Sequence, residues 1–140
     1  MKKLIVFVAV ALAIPTSVAF AKPPATHTNH SHAAPKVMYV LKGTLSNYIA
    51  ATSTTDGSVT ITATHSNYHG RALKGVPMTF TVLASTKVTN QNGQTQTTVA
   101  DGTKGTVKFK APLRFASGTN LATTLPTMAK AFHVIVRQAG

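Results

Sequence analysis

The sequence predicts a single all-β domain, a small barrel or sandwich of about six strands. Three observations carry that prediction. Apolar residues recur with a period of two in several short runs, the mark of strands with one buried face. Gly, Asn and Asp separate those runs at short intervals, as tight turns require. The least patterned stretch, residues 113–130, has room for one short helical turn at most, because Pro126 interrupts it.

The domain is expected to begin only after two preceding segments. In residues 1–21, Lys2 and Lys3 precede an unbroken apolar run from Leu4 to Ile14, and Ala19-Phe20-Ala21 forms an A-x-A pattern. These are the three parts of a secretory signal peptide, here of bacterial style. The run is shorter than the roughly 20 residues that span a bilayer, so cleavage and export are expected rather than anchoring. Residues 22–36, KPPATHTNHSHAAPK, have proline and small polar residues without apolar periodicity and are expected to form a flexible linker. Residues 37–140 are the β domain.

The longest strand signal is VMYVLKGTLSNYI, Val37 to Ile49. Its odd positions, Val37, Tyr39, Leu41, Leu45 and Ile49, are expected to face inward. Gly43 in its middle predicts a bend, bulge or close approach. A strand this long can pair with different neighbours at its two ends. SVTITATH, residues 58–65, places Val59, Ile61 and Ala63 on one face and hydroxyl residues on the other. The stretch 66–75 is a loop carrying Tyr68, His69, Arg71 and Lys74. VPMTFTVL, residues 76–83, turns Val76, Met78, Phe80 and Val82 inward, with Pro77 at its start. Asn92-Gly93 predicts a hairpin turn leading into a short polar strand at 95–99. TVKFKA, residues 106–111, directs Val107, Phe109 and Ala111 one way and Lys108 and Lys110 the other, and Pro112 ends it. AFHVIVRQ, residues 131–138, is the last strand, with Phe132, Val134 and Val136 expected inside.

The opening Gly43-Thr44-Leu45, the SVTITATH strand, Phe80-Thr81-Val82 with Thr86-Lys87-Val88, the element ADGTKGTVKFKAP and the terminal HVIVRQ together resemble small secreted bacterial β-barrel domains of unknown function with OB-like folds. The resemblance covers most of residues 37–138 through short motifs. It implies an OB-like barrel and no particular activity. A narrower resemblance, carried by GRALKGVPMTFTV at 70–82, is to bacterial Ig-like domains, which implies a β-sandwich instead.

Charge bounds the function. The chain has 14 Lys and Arg against two acidic residues, a formal net charge of +12, of which Lys2 and Lys3 supply two. Such a surface attracts anionic polymers: teichoic acids, acidic polysaccharides, nucleic acid without sequence specificity, or lipid headgroups. Lys42, Lys108, Lys110 and Arg137 fall on polar strand faces, and would form one patch if their strands are neighbours. Arg71 and Lys74 add cations from a loop. OB-like barrels, which this chain resembles, hold oligonucleotides or oligosaccharides on such faces with aromatic help. With no Trp and 6% aromatic residues, stacking would be sparse.

Other chemistries find less support. Cysteine is absent, which removes disulfides, thiolate metal sites and thiol nucleophiles. Asp56 and Asp101 both precede glycine and are expected in turns, which leaves no carboxylate pair for glycoside hydrolysis. There is no nucleophile elbow, phosphate loop or dinucleotide fingerprint. An enzyme is therefore not expected, nor a cofactor. The alternative reading is a metal-binding module: His27, His30 and His32 have the imidazole chemistry to hold Zn, Cu or Ni. A monomer is expected.

Overall fold

A computed structural model describes residues 34–137 of the chain. Its elements in order are β1 (Lys36–Ile49), β2 (Gly57–Ser66), a 3₁₀ turn (Tyr68–Leu73), β3 (Pro77–Asn90), β4 (Lys104–Pro112), α1 (Leu121–Met128) and β5 (Ala131–Val136). The fold is all-β in character, with five strands among the described residues where about six are expected. They form one sheet that closes on itself in the order β1-β2-β3-β5-β4 and back to β1. Only β3 and β5 run parallel.

Two long strands make the closure possible. β1 pairs with β4 along Lys36–Thr44 and with β2 from Leu41 onward. β3 pairs with β2 through Pro77–Val82 and with β5 through Lys87–Asn90. Between those halves β3 bends, and Thr86 holds the bend. Its hydroxyl accepts from the Leu83 N–H at 2.9 Å and donates to the Ala131 carbonyl at 2.7 Å.

The period-two pattern delivers the core. Leu41, Leu45, Val59, Ile61, Ala63, Met78, Phe80, Val82, Val107, Phe109, Ala111, Val134 and Val136 are buried, as is Tyr39. Phe109 lies at the centre, stacked on Tyr39 at 5.0 Å between ring centroids and tilted against Phe80 at 4.5 Å. The Tyr39 hydroxyl donates to the Pro112 carbonyl at 3.1 Å, which satisfies its polar end inside the protein.

Bulges account for most departures from simple alternation. Lys42 pairs with His65 while Gly43 pairs with Ala63, so Thr64 is one extra residue on β2. Gly43 allows this close crossing: a Cβ there would lie 2.0 Å from the Thr62 carbonyl oxygen. Further on, Ser46 pairs with Thr60 and Ile49 with Ser58, which leaves an extra residue on β1. Asn47 absorbs it with a φ of 48°, a region asparagine enters more readily than most residues. The phase shift turns Ile49 outward, 61% exposed, against the expectation that it is inward. On β5, His133 pairs with Lys108 and Ala131 with Phe109, so Phe132 is the extra residue. It is 53% exposed rather than inside, and Ala131 takes the core position.

Three further expectations change. Residues 95–99 do not form a strand: the Asn-Gly turn is present, but after it only Thr95 bridges back to Thr89. Gly57 does not belong to a tight turn but opens β2, where a Cβ would meet the Ile49 carbonyl oxygen at 2.1 Å. Residues 121–128 are a full eight-residue helix despite Pro126. The Asn120 side chain caps it by accepting from the Ala122 N–H, and Leu125 anchors it in the core.

After β2 the ladder is extended by a side chain. Asn67 donates through Nδ2 to the Met38 carbonyl at 2.8 Å, and its Oδ1 accepts from the Val40 N–H at 3.3 Å. The 3₁₀ turn that follows is thereby pinned to β1.

Candidate anion-binding wall

β4 presents its charges by alternation. Gly105, Val107, Phe109 and Ala111 are buried, so Lys104, Thr106, Lys108 and Lys110 share the opposite face. β4 lies between β1 and β5, and register carries that face across the sheet. One row runs Val40, Lys108, His133 and Lys87 through β1, β4, β5 and β3. The next runs Lys42, Thr106, Ile135 and Thr89. Lys110 is opposite Met38, and Lys104 opposite Thr44. Arg137 follows directly, its N–H donating to the Lys104 carbonyl at 2.8 Å.

Lys42, Lys108, Lys110 and Arg137 are thus brought onto one wall by neighbouring strands, together with Lys87, Lys104 and His133. Opposite and diagonal positions on a sheet lie about 5–8 Å apart, so neighbouring cations in these rows feel one another's charge. The half-buried Val40 and Ile135 lie among them. Lysine stems can cover such apolar ground while their ammonium groups stay in water. Neither carboxylate of the chain joins the wall. Asp56 pairs with Lys130 at 3.6 Å, and Asp101 accepts from the Asn47 N–H at 2.7 Å.

Lys42, Lys104 and Arg137 also line a groove of about 390 Å³ beside Thr64 and His65. Gly43 and Gly105 contribute backbone to its lining, and their missing side chains make room for the Thr62 carbonyl oxygen and the Leu45 side chain. The Thr64 hydroxyl lies 3.1 Å from His65 Nδ1. The bulge at Thr64 therefore helps to build the groove. Lys110 Nζ is 5.9 Å from the centroid of the exposed Phe132 ring.

Sequence reasoning missed Lys104, His65, Lys87 and His133 as members. Lys104 follows Asp101-Gly102 and looks like part of a turn, yet it is the first residue of β4. Lys87 falls in residues 85–88, which by sequence either continue the third strand or bend away from it. The other two loop cations go elsewhere. Arg71 lines a second groove, with Tyr68 and Arg114, and Lys74 lies exposed just after the 3₁₀ turn, lining neither groove. His27, His30 and His32 lie outside the described residues. Among the described residues no cluster of three His, Asp or Glu side chains could hold a metal ion.

His133 records the field of the wall. Burial lowers its pKa from the ordinary 6.5, and the charges of Lys108 and Lys87 lower it further. Its Nε2 is 2.9 Å from the Thr89 hydroxyl. The unfolded chain takes up this proton near 6.5, and the folded chain only at lower pH. Its contribution to stability is therefore complete above 6.5 and is lost as the pH falls from there toward the lowered folded value. His133→Gln is expected to flatten that part of the decline in urea midpoint with pH. An unchanged slope would show that folding does not lower the His133 pKa.

No helix among the described residues is long and apolar enough to cross a membrane. Comparisons with protein-family models, curated proteins and solved structures gave no match to this chain.

Proposed function

We propose that the chain is an exported, non-catalytic binding module with an OB-like barrel, which holds anionic polymers of the cell envelope on the wall of β1, β4 and β5. The observation that carries this reading is the register that aligns Lys42, Lys104, Lys108, Lys110 and Arg137 on one face, with both carboxylates engaged in loops. A polymer with regularly spaced charges can meet several of these cations at once, and releases counterions as it does so. The ring order with parallel β3 and β5 supports the OB-like reading. The basic, apolar and A-x-A parts of residues 1–21 support export.

The test is a titration with polyphosphate at several salt concentrations. Affinity is expected to fall steeply with salt. Lys108→Gln/Lys110→Gln is expected to weaken binding roughly tenfold or more, since each lysine near an anionic surface contributes about 1 kcal/mol. Lys74→Gln/Lys130→Gln removes the same number of positive charges away from the wall and is expected to have a much smaller effect. Equal losses in the two variants would mean that only total charge matters, and the wall would not be a site.

A further inference from the structure

We propose a second site, distinct from the wall, in the groove between the 3₁₀ turn and residues 113–121, which takes a small ring compound bearing a phosphate. The groove has a volume of about 730 Å³, within the range of small-molecule sites. Its features are an exposed aromatic ring and two guanidinium groups.

Tyr68 is 73% exposed, so burial does not explain its position. Contacts hold it there instead. His69 meets its ring edge-on at 5.6 Å and 85°, and the Arg71 guanidinium carbon lies 4.8 Å from its centroid. His69 in turn packs at 5.9 Å against Tyr39, which is stacked on Phe109 in the core. A chain of rings therefore braces Tyr68 from inside the protein. The Arg71 guanidinium lies over the ring, yet the residue is still 73% exposed, so ring surface remains for a ligand ring to stack on.

Arg71 and Arg114 both line this groove. Among the described residues neither has a carboxylate partner, since the one ion pair is between Lys130 and Asp56. Guanidinium groups suit phosphate because their forked donors match its oxygens. The Tyr39 hydroxyl is already committed to the Pro112 carbonyl, so the guanidiniums are the donors that would fix orientation. A nucleotide and a sugar phosphate share the required chemistry, a stackable ring beside an anionic group.

The experiment is an amide NMR titration of the full chain with AMP, glucose 6-phosphate and inorganic phosphate. At least one ring phosphate is expected to bind about tenfold more tightly than inorganic phosphate, as a stacked ring allows, with shifts at Tyr68, Arg71 and Arg114. The preferred ring phosphate identifies nucleotide or sugar as the source. Tyr68→Ala, at an exposed position, is expected to reduce its affinity to that of inorganic phosphate, and Arg71→Gln to weaken all three. Lys108→Gln/Lys110→Gln is expected to leave this binding unchanged even if polyphosphate binding is lost, which separates the two sites. Ring phosphates binding no better than inorganic phosphate, shifts confined to the lysine wall, or an inert Tyr68→Ala would each overturn the proposal.

Discussion

Gly43→Ala is expected to lower the unfolding free energy by about 3 kcal/mol, the upper end of the usual overpacking range. The added Cβ would lie 2.0 Å from the Thr62 carbonyl oxygen and 2.8 Å from the Ala63 Cα. Both are backbone atoms, so no side chain can rotate away to relieve the collision. β1 and β2 would have to part where Thr64 is already looped out. Gly93→Ala provides the comparison. Nothing lies within 4 Å of its Cβ, and its φ of 81° adds only left-handed strain, about 1–2 kcal/mol. Urea unfolding of both variants checks the prediction. If Gly43→Ala lost no more than Gly93→Ala, the tight crossing would not be a structural requirement. Polyphosphate binding by any folded Gly43→Ala protein should also weaken, because Lys42 is the next residue and Gly43 lines the groove.

Phe109→Ala is expected to cost more, about 3–5 kcal/mol, from lost apolar transfer and an unfilled cavity. Phe109 is fully buried between the rings of Tyr39 and Phe80, and aromatic pairing adds to its burial. Phe132→Ala removes the same atoms from a position that is 53% exposed and is expected to shift stability by about 0.5 kcal/mol or less. Calorimetry on the two variants would show a large fall in Tm for the first and almost none for the second. Similar falls would mean that Phe109 is not the centre of the core. The variant also bears on the second groove, since Phe109 supports Tyr39, and Tyr39 supports His69.

The sequence shows what depends on one strand at a time. Val59-Ile61-Ala63, Met78-Phe80-Val82 and Val107-Phe109-Ala111 face inward because alternation is a local property. Gly43 announces its close approach for the same reason, and the long first strand does serve two neighbours. Bulges are different. A residue is extra only relative to its partner strand, so neither Thr64 nor Phe132 carries a mark in its own neighbourhood. Phe132, and Ile49 beyond the extra residue at Asn47, therefore read as inward from the sequence and are exposed in the fold. The same limit applies to the wall. Lys108 and Lys110 are evidently on one face, but their proximity to Lys42, Arg137 and Lys87 depends on β4 lying between β1 and β5 and on β5 lying beside β3. For the helix at 121–128, Pro126 argues against more than a turn in a sequence reading, whereas the Asn120 cap and the burial of Leu125 emerge only in the fold.

The closure of the sheet also limits how this protein can meet others. Among the described residues every strand has a hydrogen-bonded neighbour on each side over part of its length, so the ring presents no strand whose whole edge is free. Only short one-sided stretches are left for a peptide or a second copy to extend, which narrows a common route to fibrils. The larger surface open to recognition is then the outer face of the ring, where the charges lie.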